Sequence, residues 1–365
     1  MTTQGIYTFL PLEKVIHGPG TVDQLPPEID RLGGRRVLVI TGRTLAHETP
    51  LVSNLETMLG DRHVATFSGI RQHVPESGIA AAKQLAGETR ADLLVSLGGG
   101  SPVDGTKAVA RAIFDASDQL LPQIALPTTL SAAEFSHMAG FTDEDAGEKT
   151  GFVDPRVTPR VVILDPELTL YTPDWLWSAS GIRALDHAVE TLYSPGLHPI
   201  NDILALQAIG DLFTYLPQAK QDPRDVEVRH RCQLGAWMSF FGPGTVRYGL
   251  SHRLGRIIGA SYDVPHGITS AITLAHVMRY KVKTEASRLS PIGRALNLVD
   301  GSASAREATL AAADAVSELV KQLELPHRLR DVGVPEGALE DIAKKAAEQM
   351  AEDPDGVRAI VEAAW

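Results

Sequence analysis

The sequence predicts an α/β domain with a parallel β-sheet in the first half of the chain and an all-helical domain in the second half. Short apolar runs alternate with helical segments up to about Asp165, and long amphipathic segments without strand signals follow it. Alternating strands and helices are typical of a parallel sheet covered on both faces. The 365 residues also suffice for two domains of about 150 residues each.

Four apolar runs in the first half are predicted to be strands, and two amphipathic segments lie between them. The strands are Val37–Thr41, Leu93–Leu97, Ile124–Leu126 and Val161–Leu164. The helices are Pro75–Gly87 and Pro102–Phe114. Parallel neighbours need a crossover connection, and the helical segments supply it.

Six long amphipathic segments make the second half helical. They are Pro173–Tyr193, Ile200–Leu216, Val226–Phe241, Gly249–Ile258, Ser304–Leu323 and Gly337–Ala351. The Ala-rich stretch Ala305–Ala315 is interpreted as a surface helix, since alanine has the highest helix propensity. We place the domain boundary after residue 167, so that the domains cover residues 1–167 and 168–365.

The composition excludes several classes of protein. The chain carries 34 Lys and Arg against 45 Asp and Glu, a formal charge of −11, which argues against a nucleic-acid partner. The single cysteine, Cys232, excludes an internal disulfide framework and a cysteine-based zinc cluster. The N-terminus lacks the pattern of a signal peptide, and no stretch reaches the roughly 18 apolar residues of a membrane helix. We therefore expect a cytoplasmic protein without a membrane partner, and a small anionic substrate remains compatible with the net charge.

Three consecutive glycines after a predicted strand form the sharpest local motif. The segment Gly98–Ser101 precedes Pro102, a residue that suits the first turn of a helix. Glycines let the backbone come close to a phosphate group, and a helix N-terminus offers it free N–H groups. The alternative is a simple strand-to-helix turn, although such a turn rarely needs three glycines. The segment is therefore predicted to bind phosphate, with the hydroxyls of Thr128 and Thr129 on the same edge of the sheet.

Histidines in the helical half form a second candidate site. Arg183 and His187 are four residues apart and share one face of a predicted helix. His252 and His266 follow in a later segment, so that three imidazoles from two separated segments could bind a metal. The spacing leaves open the alternative that these are ordinary structural histidines.

The order of four motifs resembles the iron-containing alcohol dehydrogenase family. The motifs are GGGSPVDGTK, LPTTLSAAEFS, SGIRALDHAVETLYS and GLSHRLGRIIGASYDVPHG. Within that family, KVIHGPGTVDQLP, QHVPES and GEKTGFVDPRVTPRVVILDPELTL are similar to the maleylacetate reductase branch. The resemblance extends over nearly the whole chain, from His17 to Trp365.

The resemblance implies a dinucleotide-binding α/β domain, a helical C-terminal domain and an active site in the cleft between them. It also implies NADH or NADPH as the cofactor. The residues matching the pyrophosphate loop are Gly98, Gly99, Gly100 and Ser101. The residues expected to lie along the rest of the cofactor are Asp104, Thr128, Thr129 and Lys149.

Gly42 and Arg43 bear on the choice between the two dinucleotides. They follow the strand Val37–Thr41, and metal-bearing relatives often have Asp at the position of Gly42. An acidic residue there can accept from the ribose 2′-hydroxyl and repel a 2′-phosphate. Its absence beside Arg43 predicts that NADPH is accepted at least comparably with NADH. The alternative is that Gly42 only ends the strand and Arg43 points to solvent.

Arg183 separates this chain from the metal-bearing members of the family. The resemblance implies that those members hold the metal through an Asp and a His four residues apart and through two later histidines. His187, His252 and His266 match the histidines, and Arg183 occupies the Asp position. A guanidinium removes a ligand and adds a permanent positive charge. Two like charges about 4 Å apart repel by roughly 4 kcal/mol at an effective dielectric constant of about 20, so no catalytic metal is expected.

Arg256 is a second departure from the family pattern. The family usually has a histidine at this position, assigned to proton transfer, and arginine is a poor proton donor near neutral pH. The remaining candidates for the proton are His187, His252, His266 and, by resemblance, His73. The alternative for Arg183 and Arg256 is a structural role as surface or ion-pair residues, with Asp186 and Glu190 near enough in sequence to pair with them.

Together, these features predict an NAD(P)H-dependent reductase of an unsaturated oxo-dicarboxylate in the catabolism of aromatic compounds. Reduction of maleylacetate to 3-oxoadipate, without a catalytic metal, is the specific hypothesis. A homodimer is expected. Two alternatives stay open: a metal-dependent alcohol dehydrogenase of the same family, and a non-redox descendant that uses the same cleft.

Overall fold

A computed structural model describes residues 6–144, 148–196, 198–242 and 248–365. The chain divides into two compact units. The first, the α/β unit, comprises Thr8–Thr172 and Arg224–Gln233. The second, the helical unit, comprises Pro173–Pro223 and Leu234–Trp365 together with the residues before Thr8. The sequence-based boundary after residue 167 stays a prediction, and all of the predicted site residues fall within the described ranges.

The α/β unit is built on a parallel sheet, as the sequence predicts, but the sheet has six strands and the sequence indicated four of them. Its strands in chain order are β1 (Lys14–His17), β2 (Val37–Ile40), β3 (His63–Phe67), β4 (Leu93–Gly98), β5 (Gln123–Pro127) and β8 (Val161–Leu164). Across the sheet they are ordered β1-β8-β5-β4-β2-β3. A separate antiparallel hairpin consists of β6 (Met138–Asp143) and β7 (Glu148–Val153).

Helices cover both faces of this sheet. They are α1 (Leu25–Arg31), α2 (Arg43–Glu48), α3 (Leu51–Leu59), α4 (Glu76–Glu88) and α5 (Gly100–Ser117). Successive strand residues point to opposite faces, so Val37 and Val39 pack with α1 and α3 whereas Leu38 and Ile40 pack with α4 and α5. Both faces are therefore buried, which explains why the strands are continuous apolar runs without alternation.

The strand order places a topological switch point between β2 and β4. The chain goes from β2 to β3 on one side and then returns to add β4 and β5 on the other side. Ligands of open α/β sheets bind outside the carboxyl ends of the strands at such a point. Here those ends lead into Thr41–Arg43 and into Gly98–Ser101, the two segments predicted to contact a cofactor.

The helical unit contains no strand in the residues that the structure describes. Its helices are α6 (Asp174–Tyr193), α7 (Pro199–Gln221), α9 (Leu250–Tyr262), α10 (His266–Ala295), α11 (Ala305–Gln322), α12 (Leu339–Met350) and α13 (Pro354–Ala363). Helix α8 (Val226–Ser239) contributes residues to both units. None of the helices in the described ranges combines the length and the hydropathy needed to cross a membrane.

The sequence patterns missed three strand-linking helices of the α/β unit, α1, α2 and α3, together with β1, β3, the hairpin, α10 and α13. Helix α10 has buried residues at almost every position from Ile268 to Met278, so it lacks the polar face by which amphipathic helices are found. The surface interpretation of Ala305–Ala315 holds for one face of α11 only. Ala308 on its other face is buried, and a Cβ at Gly293 of α10 would lie 2.2 Å from the Ala308 carbonyl oxygen. Small residues thus let these two helices approach closely.

Candidate active site

The glycine loop joins β4 to α5 in a conformation that a side chain would disturb. Gly98 has φ +142°, and a Cβ there would lie 2.7 Å from Cγ of Pro102. Gly99 precedes the first residue of α5, and no side chain caps the N–H groups of that helix end. Uncapped N–H groups and the positive end of the helix dipole are suited to binding an anion.

The other two glycines make room for the segment that follows β5. A Cβ at Gly99 would lie 2.9 Å from Cγ2 of Thr129, and one at Gly100 would lie 3.3 Å from the Ser131 hydroxyl. The backbone N–H of Thr128 donates to the Gly98 carbonyl at 3.0 Å, which ties the two segments together. The Thr129 hydroxyl is buried without a hydrogen-bond partner among the described residues. It is therefore available to a ligand at the loop.

The buried ammonium group of Lys107 binds the chain segment that follows β5. Lys107 of α5 donates to the carbonyls of Ala133 and Met138 at 2.6 and 2.8 Å and contacts Asp104 at 3.1 Å. Asp104 is thus engaged by Lys107, and burial raises the pKa of its carboxyl group. Nearby Glu134 is also buried, which raises the pKa of its carboxyl group to about 7. Lys107 belongs to the motif GGGSPVDGTK. Its hydrogen bonds to Ala133 and Met138 could not be predicted, because the spacing of residues does not show which distant segments meet.

The remaining predicted residues of the α/β unit lie at the carboxyl edge of the sheet or on the hairpin. Gly42 precedes α2 in an extended conformation, and the side chain of Arg43 is exposed. Lys149 lies in β7 opposite Thr142. His73 has φ +65°, and its carbonyl accepts from the Thr142 hydroxyl at 2.9 Å. His73 therefore belongs to the α/β unit, whereas the other proton-transfer candidates belong to the helical unit.

In the helical unit, Arg183 is held by buried partners. Its Nη1 donates to the Ser270 hydroxyl at 3.0 Å and lies 3.4 Å from Oδ2 of Asp186. Asp186 Oδ2 also accepts from the hydroxyls of Ser251 and Ser270, at 2.9 and 2.6 Å. The Arg183 side chain is 13% exposed. It is therefore a fixed cation that retains some access to solvent. Of the structural alternative for Arg183, the ion pair with Asp186 is present, whereas a surface position does not describe this residue.

His187 and His252 form an aromatic stack beside this cation. Their ring centroids lie 4.8 Å apart, Phe240 lies 4.4 Å from His187, and Tyr248 lies 4.3 Å from His252. Phe240 and Tyr248 are themselves 5.9 Å apart, so the four rings form a compact cluster. Burial lowers the pKa of the His187 imidazole well below 6.5, and His252 and Arg183 lower it further. Burial also lowers the pKa of His252, followed by the charges of Arg183 and Arg256. Both rings are therefore neutral near pH 7.

Glu190 contacts His252 of the histidine pair. The sequence indicated Glu190 only as an ion-pair partner for the arginines. Its carboxyl group is buried in α6, and Oε2 lies 2.6 Å from Nδ1 of His252. Burial raises the pKa of Glu190, and hydrogen bonds from backbone N–H groups oppose this shift. No spacing rule connects Glu190 to His252, since the contact depends on how α6 packs against α9.

Arg256 and His266 lie on neighbouring elements. Arg256 is exposed on α9, one turn after His252. His266 is the first residue of α10, one turn before Ser270. A Cβ at Gly259 of α9 would lie 3.5 Å from Nδ1 of His266, so α9 passes close to this ring. The structure thus brings together Arg183, His187 and His252 directly and places Arg256 and His266 on adjoining turns.

A divalent cation does not fit these groups well. Oxygen and nitrogen atoms of Asp186, Glu190 and His252 all lie within 4.8 Å of one another, which is close enough for a metal site. However, Asp186 Oδ2 accepts from two hydroxyls and faces the Arg183 guanidinium, and both Glu190 oxygens accept from backbone N–H groups. A cation would have to displace these donors and lie beside a permanent positive charge.

Comparison with known proteins identifies two matching family models. The model described as iron-containing alcohol dehydrogenase matches residues 12–166. The model described as the C-terminal part of the Fe-containing alcohol dehydrogenase family matches residues 178–359. The two matches extend over most of both units.

Individual relatives support the same assignment. Maleylacetate reductase 2 of Cupriavidus pinatubonensis is 34% identical over 283 residues, which cover 78% of this chain and 76% of the relative. Maleylacetate reductase of Sphingobium indicum is 32% identical over 359 residues, or 98% and 94% of the two chains. The crystal structure of maleylacetate reductase from Rhizobium sp. strain MTP-10005 superposes with a TM-score of 0.87 at 28% identity, covering 100% and 99%. The chain therefore belongs to the iron-containing alcohol dehydrogenase family, and within it to the maleylacetate reductase branch.

Proposed function

We propose that this chain reduces maleylacetate to 3-oxoadipate with NADH or NADPH and without a catalytic metal. It is an oxidoreductase of the family named above, and the maleylacetate reductases at about one-third identity support the choice of substrate. The observation that carries the proposal is the guanidinium of Arg183, fixed by Ser270 and Asp186 beside two neutral histidines.

The α/β unit supplies the features that a dinucleotide requires. The glycine loop and the uncapped end of α5 would hold the pyrophosphate, with the unpartnered hydroxyl of Thr129 beside them. Gly42 and Arg43 lie at the end of β2, where the adenosine ribose of such cofactors binds. When bound, the dihydronicotinamide supplies a hydride to the alkene carbon conjugated to the ketone.

Arg183 offers the positive charge that this chemistry needs. Addition to the alkene carbon places negative charge on the ketone oxygen as an enolate. A fixed cation aimed at that oxygen lowers the barrier, because it need not reorganise while the charge develops. Arg183 meets this condition, since its partners hold it in one place and it is partly accessible.

The histidine stack offers the proton for the second half of the reaction. The enolate carbon takes one proton to complete the reduction, and His187, His252 and His266 are the candidates in the helical unit. His73 is a further candidate from the α/β unit. Arg256 stays protonated at all relevant pH values, so it serves better as a binding group for a substrate carboxylate.

Two other functions lead to different measurements. A metal-dependent alcohol dehydrogenase would contain about one zinc or iron per chain and lose activity with a chelator. A non-redox descendant would keep the fold but show no hydride transfer, and a titration with NADH and NADPH tests whether it still binds dinucleotides. The family assignment favours the oxidoreductase over this second alternative.

The test is a steady-state assay of NADH and NADPH oxidation with maleylacetate beside a panel of simple aldehydes. We expect kcat/KM for maleylacetate to exceed that for every aldehyde by at least a hundredfold, with 3-oxoadipate as the product. Turnover of aldehydes alone, or dependence on added iron or zinc, would contradict the proposal. The expectations of a homodimer and of a cytoplasmic location stay predictions.

A further inference from the structure

The carboxyl group of Glu190 is fixed by main-chain donors. Backbone N–H groups of Gly249, Ser251 and His252 donate to it at 2.7, 2.8 and 3.2 Å. These amides lie at the start of α9, where a helix leaves its N–H groups without internal partners. Glu190, a residue of α6, thus caps the N-terminus of α9. Its carboxyl group cannot rotate without losing these hydrogen bonds.

The same carboxyl group lies against one nitrogen of the His252 ring. Nδ1 is 2.6 Å from Oε2 of Glu190 and 3.8 Å from Oδ2 of Asp186. Two aromatic rings contact this imidazole, with the centroids of Tyr248 and His187 at 4.3 and 4.8 Å. Neither ring nitrogen has a partner with hydrogen-bond geometry among the described residues, but Nδ1 is the nitrogen that lies beside the Glu190 carboxylate, at 2.6 Å. The two ring nitrogens of His252 therefore have different surroundings.

We propose that Glu190 is a positioning residue for His252: it keeps the ring proton on Nδ1 and leaves Nε2 as the nitrogen that exchanges a proton with the substrate. A carboxylate beside one nitrogen of an imidazole sets the tautomer and orientation in this way in other enzymes. The inference deepens the proposed function and rests on it, because it selects one of four candidate histidines.

The proton balance of the step follows from this arrangement. The neutral His252 ring first takes up a proton from water at Nε2. In the step the Nε2–H bond breaks and its electron pair stays on the ring, while the electron pair of the enolate forms the new C–H bond. The ring is then neutral again, with its proton on Nδ1. Glu190 offsets the positive charge of the transient imidazolium, which Arg183 and Arg256 disfavour.

The first test observes the His252 tautomer by nitrogen-15 NMR of histidine-labelled protein, with the signals assigned from a His252→Asn variant. In the wild type we expect a protonated Nδ1 and an unprotonated Nε2. In Glu190→Gln, the side-chain amide donates towards Nδ1, so the proton is expected on Nε2. An unprotonated Nδ1 in the wild type overturns the proposal, and so does an unchanged tautomer in a folded Glu190→Gln variant.

The second test is a double-mutant cycle on the reaction with maleylacetate. Glu190→Gln should lower kcat at least tenfold and leave the Kd of the cofactor within twofold. In the His252→Asn background, the same substitution should change kcat less than twofold, because Glu190 acts through His252. Equal losses in both backgrounds indicate a structural role only and overturn the proposal.

A matched control separates the effect on His252 from a general loss of packing. The Tyr193 hydroxyl donates to Oε1 of Glu190 at 3.3 Å and does not touch His252. Tyr193→Phe removes this hydrogen bond, and we expect kcat and the tautomer to stay unchanged. If the wild type does not reduce maleylacetate, the proposed function fails while the NMR experiment still decides whether Glu190 sets the tautomer.

Discussion

The glycine loop of the α/β unit and the histidine cluster of the helical unit differ in the groups that they offer to a ligand. In the loop, Gly98 and Gly99 offer backbone groups, and their defining property is the absence of a side chain. In the cluster, the roles proposed for Arg183 and His252 depend on their side chains, and each side chain lies beside a buried carboxyl group from α6. Backbone sites follow from local sequence, whereas the cluster depends on which helices meet.

This difference explains why substitutions should act differently in the two regions. A side chain added to the loop changes the shape of the binding surface and the packing beneath it. A side chain removed from the cluster leaves a buried partner without its counter-charge, which costs more than the lost interaction itself.

The largest expected effect is the removal of the cation in the cluster. Arg183→Met should lower kcat for maleylacetate by at least a hundredfold, about 2.7 kcal/mol, because the enolate oxygen loses its positive partner. Cofactor Kd should change less than twofold, since the cofactor loop lies in the other unit. Arg253→Met is the control, because Arg253 on α9 bonds only to Gln349 at the surface in the described contacts. Steady-state kinetics with a fluorescence titration of the cofactor measure both quantities, and an unchanged kcat would remove Arg183 from the mechanism.

The glycine loop should show the next largest effect. Gly98→Ala should weaken cofactor binding at least tenfold, about 1.4 kcal/mol, because its φ of +142° strains any side chain and Pro102 blocks the Cβ. Gly87→Ala is the control, since a Cβ there meets no atom within 4 Å.

A second pair of variants distinguishes backbone strain from side-chain crowding. Gly99→Ala brings a Cβ to 2.9 Å from Cγ2 of Thr129, and Thr129→Ser removes that methyl group. We therefore expect Thr129→Ser to restore part of the affinity lost in Gly99→Ala but none of that lost in Gly98→Ala. Equal rescue of both variants, measured by dinucleotide titration, would contradict this explanation of the glycines.

Stability should depend on pH through the buried histidines. The pKa values of His187 and His252 are depressed below 6.5 in the folded chain, so the stability they contribute is present above pH 6.5. It is lost as the pH falls through their folded-state values, with a slope of at most about 1.4 kcal/mol per pH unit for each ring.

The contribution of one ring is measured against a variant that cannot titrate there. His187→Phe preserves the stacking against Phe240 and His252 and removes one titrating group. Its melting temperature should fall less steeply than that of the wild type between pH 6.5 and 5. Burial raises the pKa of Asp186 to about 7, so Asp186 changes the stability in the opposite direction as the pH falls. This contribution is present in both proteins and cancels when their melting curves are compared. Parallel curves would show that His187 takes up no proton on unfolding.

A smaller effect is expected for the choice of dinucleotide. Arg43→Ala should lower kcat/KM for NADPH about threefold to tenfold and leave that for NADH nearly unchanged, because the exposed guanidinium can reach a 2′-phosphate. A wild-type preference for NADH above about a hundredfold would show that another feature decides the choice.

The smallest effect should come from chelation. Treatment with a chelator should change the rate of maleylacetate reduction less than about twofold, because the guanidinium of Arg183 faces the carboxylate that a cation would need. Metal analysis of the purified protein should find far less than one zinc or iron per chain. Stoichiometric metal lost together with activity would place the cluster with the metal-bearing members of the family.

The sequence alone determined the features that depend on neighbouring residues. Apolar runs predicted β2, β4, β5 and β8, because strands buried on both faces need no polar side chains. The Arg183–His187 spacing predicted a shared helix face, and both residues lie on α6. The absence of a catalytic metal, inferred from Arg183 at an acidic position, stays a prediction. Each of these inferences uses residues that are close in the chain, where backbone geometry sets the distances.

Only the tertiary structure decided which distant groups meet. Glu190 reaches backbone amides 59 to 62 residues away, and Asp186 accepts from Ser270, 84 residues further on. The first part of helix α10 escaped the sequence patterns for the same reason, since neighbours bury it at almost every position from Ile268 to Met278. Buried carboxyl groups are stable only when donors from other elements satisfy them, and no sequence spacing specifies those donors. The partners of Arg183 and His252 are therefore set by the packing of α6, α9 and α10.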